Sequence, residues 1–139
     1  TKVNFAAARA AAKAYDPARW EAEIRDAYGP AADGILALEE TAKKNETGGR
    51  LRRIDTMEAH WEEIDALLAA LPSPESIMAL LRSLESPCLP AEIGVDGKLL
   101  KNTFLYCKEV RARYTIRQLV WDLGLLDSLS DQVIAGLGE

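Results

Sequence analysis

The stretch YDPARWEAEIRDAYGP, residues 15–30, writes one whole helix between a start signal and a stop signal. Asp16 brings an N-cap acceptor for the free N–H groups of a first turn, and Pro17 stands where a missing N–H costs nothing. Trp20, Ile24, Ala27 and Tyr28 recur at helical spacing as an apolar stripe, onto which Tyr15 can fold from outside. Gly29 offers a left-handed cap and Pro30 forbids continuation. Similar punctuation recurs along the chain, and no stretch alternates apolar and polar residues for more than a few positions as a strand would. The expectation is an all-α domain of about seven or eight helices packed at globular angles.

Further along, a third helix is expected through Ile35, Leu36 and Leu38, ending in KKNETGG, residues 43–49, which reads as a mobile loop. The longest pattern follows, from about Arg50 to Leu71, with Leu51, Ile54, Met57, Trp61, Ile64, Leu67, Leu68 and Leu71 on one stripe. Ser73 and Pro74 restart a helix whose face is Ile77, Leu80, Leu81 and Leu84. An irregular connection with two prolines leads to an Asp96 cap and a helix marked by Leu100, Phe104, Cys107 and Val110. In RARYTIRQLVWDLGLL, residues 111–126, Thr115 and Gln118 have the spacing of a capping box, Tyr114 can staple onto Leu119, and Gly124 closes a short helix. A last helix carries Leu126, Leu129, Val133 and Leu137.

The chain has 139 residues, 48% of them hydrophobic, enough for one domain spanning residues 1–139 with a real core. A net charge of −5 disfavours nucleic acid as a partner, because phosphate neutralisation needs a dense basic face. No uninterrupted apolar run of about 18 residues is evident and no leader pattern opens the chain, so no membrane partner is expected. Cys88 and Cys107 sit in apolar surroundings and are expected to be buried, reduced thiols, which suits a cytoplasmic protein. The first residues, TKVNFAAARAAAKAY, lack a Met and a cap signal before Val3, which points to a segment of a longer polypeptide or to a removed tag.

Chemistry-bearing residues are few. His60 is the only histidine, and with Glu62 or Glu63 it makes at most a fragment of a metal site. TGGR lacks the Lys-Ser/Thr of a phosphate loop, and no nucleophile elbow is present. Arg50, Arg52 and Arg53 open a helix where the dipole disfavours positive charge, and a solvated face relieved by Glu46, Asp55 and Glu58 is expected. If the helix from Lys98 is continuous, Arg111 follows Cys107 by four residues and lies along the apolar stripe. It would then want either a carboxylate such as Glu92, Asp122 or Asp127, or an anionic substrate.

Three segments, YDPARWEAEIRDAYG, HWEEIDALLAALPSPESIMALLRSLESPCLPAEIGVD and CKEVRARYTIRQLVWDLGLLD, resemble the C-terminal helical region of the sn-glycerol-1-phosphate dehydrogenases, within the iron-containing alcohol dehydrogenase and dehydroquinate synthase superfamily. The likeness covers nearly the whole chain and is strongest in residues 111–126. It implies that an N-terminal dinucleotide-binding domain partners this one. It also implies that NAD(P) and a divalent metal, zinc or iron, serve the parent enzyme, and that dihydroxyacetone phosphate is reduced to sn-glycerol 1-phosphate. On that alignment the metal ligands fall before Thr1, so neither metal nor cofactor is expected on this chain, which alone would be inactive. A small phosphorylated substrate makes Arg111, Arg113, Tyr114 and Thr115 the candidates for the cleft wall, with no catalytic role carried over to them. Assembly into a homo-oligomer is compatible with this reading. The competing expectation is a free-standing all-α interaction module that binds a partner through an exposed apolar helix.

Overall fold

The computed structural model describes residues 2–137, and the chain is all-α. Among those residues are nine α-helical segments: α1 Phe5–Lys13, α2 Pro17–Tyr28, α3 Ala32–Ala42, α4 Thr47–Ala59, α5 Trp61–Ala69, α6 Pro74–Ser83, α7 Gly97–Tyr106, α8 Ile116–Asp122 and α9 Leu126–Gly136. The caps read from sequence are in place. Asp16 Oδ1 accepts from the N–H groups of Ala18 and Arg19, Ser73 Oγ from Ser76, and Asp96 Oδ1 from Leu99. Gly29 and Gly124 both take positive φ. Asn4, passed over in the sequence, caps α1 by accepting from Ala7 N.

Two expected boundaries move. The long fourth helix divides at His60, whose φ of −120° and ψ of 21° leave the helical region and separate α4 from α5. The seventh ends at Tyr106 and tightens into a 3-10 turn over Cys107–Glu109, so Arg111 does not continue its stripe.

Two small apolar clusters make the core. Ala8 and Ala12 of α1, Ile54 and Met57 of α4 and Leu123 form the first, with Phe5 edge-on to Trp61 at 5.7 Å. Alanines let α1 approach α4 closely, and Gly124 continues that crowding: a Cβ there would lie 2.9 Å from Ala11 Cβ. Ile24, Ala32 and Ile35 form the second cluster, flanked by Trp20, Tyr28 and Tyr106, where the Tyr28 hydroxyl donates to the Tyr106 carbonyl at 2.9 Å. The two cysteines are free thiols, half-buried rather than buried as expected.

The stretch Trp61–Ser83, with a mean hydropathy of 1.4, is long and apolar enough to cross a membrane by composition, which corrects the reading that no such run exists. The chain breaks it at residues 70–73 into α5 and α6, each about 14–15 Å long and half the thickness of a bilayer core. None of its residues is buried.

Candidate functional site

The centre of the molecule is charged. Arg50 and Arg53 both turn inward from α4, so the RLRR face is not solvated, and only Arg52 stays on the surface. Asp55 and Glu58, expected to relieve them, pair instead with Arg9 of α1. Arg50 is 3% exposed and donates through Nε and Nη2 to the carbonyl of Asp122 at 3.3 and 3.2 Å, and through Nη2 to that of Trp121. Its Nη1 reaches the Ala11 carbonyl at 3.4 Å. One guanidinium thereby caps the C-terminal ends of α8 and α1, where unpaired carbonyls carry the negative end of each helix dipole.

Arg53 grips the Asp122 carboxylate with both prongs, Nε to Oδ2 at 2.6 Å and Nη2 to Oδ1 at 2.9 Å. The same carboxylate, fully buried, accepts from the Tyr114 hydroxyl at 3.0 Å and from Gln118 Nε2 at 3.3 Å. A second buried carboxylate, Glu109, accepts from Trp20 Nε1 at 3.2 Å, from Asn45 Nδ2 at 3.0 and 3.1 Å, and from the neighbouring Lys108 ammonium. Lys44 Nζ lies 3.3 Å from Glu109 and donates to the Lys108 and Arg111 carbonyls. The two halves meet at Asn45 Oδ1, within 3.4 Å of Gln118 Nε2 and of Lys108 Nζ. Lys44 and Asn45 belong to the stretch read as a mobile loop; they are buried, and they tie α3 to the turn after α7. Gln118 Oε1 is the one buried side-chain polar atom among the described residues without a partner.

Burial governs the proton affinities here. It pushes Arg50 down to about 10, with Asp122 restoring only part of the loss. Burial likewise lowers Lys108, against the pull of Glu109. The Glu109 carboxyl is pushed up by burial, but Lys108, Lys44 and Asn45 together outweigh it and hold the group below the usual carboxylate range. Burial and the adjacent Asp122 keep Tyr114 protonated well above the ordinary phenol range.

Beside the cluster lies a cavity of about 530 Å3, bordered by Tyr15, Trp20, Tyr106, Trp121, Arg50 and Lys108 among others. Tyr15 stands edge-on to Trp121, with ring centres 5.6 Å apart.

The residues expected at the cleft wall divide into two pairs. Arg111 and Arg113 are exposed and form no ion pair among the described residues. The carboxylates proposed for Arg111 have other partners: Asp122 takes Arg53, Asp127 takes Lys101, and Glu92 accepts from the Cys88 and Leu89 N–H groups. Tyr114 and Thr115 build the turn itself, Tyr114 through Asp122 and Thr115 by accepting from Gln118 N at 3.4 Å. Gln118 does not return that bond as a capping box would; its side chain points into the charged centre. A periodicity signal for Arg50 existed, since it precedes Ile54 by four residues and Met57 by seven, on the buried face of α4. For Lys44, Asn45 and Lys108 there was none, because they lie in connections without a period.

The second candidate is the α5–α6 segment. Leu67, Leu71, Leu80 and Leu84 are 71%, 62%, 60% and 66% exposed, with Ile77 and Met78 exposed beside them. Among the described residues no group of three or more His, Cys, Asp or Glu side chains converges as a metal site. His60 is exposed and its ring meets Glu63 alone among the described carboxylates, so these residues do not fit the implied zinc or iron. No protein-family model matches the chain, and neither the curated proteins nor the solved structures contain a match.

Proposed function

We propose that this chain is a helical domain that works covered by a partner along α5–α6, and that the partner is the dinucleotide-binding domain of a metal-dependent, NAD(P)-linked dehydrogenase of the glycerol-1-phosphate dehydrogenase kind. The observation that carries the docking half is the apolar face of α5–α6: Trp61 and Ile64 lean on the first core cluster, but Leu67, Leu71, Leu80 and Leu84 stay more than half exposed. Isolated soluble domains seldom leave a run of leucines uncovered. The resemblance of three long segments supplies the identity of the partner. In this reading the metal and NAD(P), which polarise the substrate oxygen and deliver the hydride, are held outside this chain, and the reaction is cytoplasmic. The chain's own contribution is electrostatic: Arg111 and Arg113 lie exposed on one turn, available to a phosphate dianion, while Tyr114 and Thr115 keep that turn in shape.

The test uses the full-length gene product carrying a photo-crosslinker at Leu80 or Leu84, with NAD(P)H oxidation by dihydroxyacetone phosphate measured after zinc or iron loading. Cross-links to an upstream dinucleotide-binding domain together with substrate-dependent oxidation are expected. Oxidation should show a raised KM in the Arg111→Ala, Arg113→Ala double variant. Cross-links only to a second copy or to lipid would overturn the partner. Absence of oxidation would leave a protein-interaction module without catalysis.

A further inference from the structure

The cavity beside the charged centre has no role in that reading. Its volume, about 530 Å3, suits a small organic molecule. Two of the chain's tryptophans, Trp20 and Trp121, and two tyrosines, Tyr15 and Tyr106, border it. So do two buried cations, Arg50 and Lys108, which are 3% and 4% exposed. Both lie against the Trp121 ring, the Arg50 guanidinium carbon 3.9 Å and Lys108 Nζ 4.2 Å from its centre.

Neither cation is fully used. A guanidinium has five N–H groups and an ammonium three. The hydrogen bonds of Arg50 to Ala11, Trp121 and Asp122, and those of Lys108 to Asn45 and Glu109, leave one N–H of each without an acceptor among the described residues. The charged centre beside it is also unbalanced. Lys44, Arg50, Arg53 and Lys108 outnumber Glu109, Asp122 and half-buried Glu39 by one, with Glu109 itself bordering the cavity next to Lys108. Acids at the rim are already engaged: Asp16 caps α2, Glu23 pairs with Arg19, and Asp127 pairs with Lys101. An uncompensated buried cation is costly, and a bound anion removes the cost.

We infer that this cavity is a binding site for a small organic anion with a planar unsaturated body, an aromatic carboxylate being the simplest case, its ring against the tryptophans and its charge at Arg50 and Lys108. The lowered proton affinities of both cations agree with this, since burial outweighs the carboxylates already beside them, Asp122 for Arg50 and Glu109 for Lys108. The inference is independent of the dehydrogenase reading.

Benzoate is the probe, titrated into the chain and followed by tryptophan fluorescence and calorimetry, with benzamide as neutral isostere and inorganic phosphate as an anion without a ring. Saturable benzoate binding with Kd at or below about 1 mM is expected, at least tenfold tighter than either control. Ala14→Glu, an acid placed on an exposed residue at the cavity wall and outside the charge network, should weaken benzoate by tenfold or more with an unchanged circular dichroism spectrum. Benzamide binding as well as benzoate would overturn the role of charge, and phosphate binding as well would overturn the role of the ring. No saturation by benzoate overturns the site. Should Ala14→Glu fail to fold, the three-probe comparison on the unaltered chain decides by itself.

Discussion

The charged centre and the α5–α6 segment reverse the usual allocation of residues. Between α4 and α8, lysines, arginines and carboxylates are buried; one helix further along, leucines stand in solvent. The contrast teaches that burial follows the supply of partners. Each buried ion here has a carboxylate, a carbonyl or an indole in reach, and desolvation is tolerable only on those terms. Among the described residues no helix covers the exposed leucines, which remain 60–71% accessible.

The largest effect is expected at Asp122. Asp122→Ala leaves buried Arg50 and half-buried Arg53 without their carboxylate, and a loss of about 3–5 kcal/mol is expected in urea unfolding. A loss below about 1 kcal/mol would mean that the arginines swing out to water and that the centre is not a closed network.

Glu109 sharpens the same point through pH. Its folded carboxyl is held below the ordinary value of 4.5, so its stabilisation is fully present above that value and is lost as pH falls through the folded one. Glu109→Gln should therefore be less stable than the parent by about 1.5–3 kcal/mol at neutral pH. The gap should close on acidification, read from denaturant midpoints at stepped pH. A gap that stays constant down to strong acid would show that the carboxylate charge contributes nothing.

The smallest effect is expected on the exposed side. Leu80→Ala should alter the stability of the isolated chain by no more than about 0.5 kcal/mol, since the side chain packs on little and both residues favour helix. A loss of 2 kcal/mol or more, as for a core leucine, would mean that α5–α6 folds back onto the domain in solution.

Legibility in the sequence differed between these regions for a physical reason. Asp16, Ser73, Asp96 and Thr115 act on N–H groups two or three residues away, so their caps can be read without a fold. The apolar stripe of α6 was equally readable as a stripe, but its exposure was not, because periodicity marks a face and does not say what covers it. In the candidate site the spacing of Arg50 to Ile54 and Met57 was a usable signal, outweighed by the expectation that three clustered arginines repel into water. Lys44, Asn45, Lys108 and Glu109 meet across 63 or more residues of sequence, and their connections carry no period.

By itself the sequence determined that the chain is all-α, where α2, α6, α7 and α8 begin, and where glycine turns the backbone at residues 29 and 124. Those features rest on hydrogen bonds and torsions spanning a few residues. Only the tertiary structure decided which arginines lie inside, which carboxylates they grip, and which leucines are left without cover. A charge is stable indoors only where distant chain segments deliver its partners, and that delivery is a property of packing.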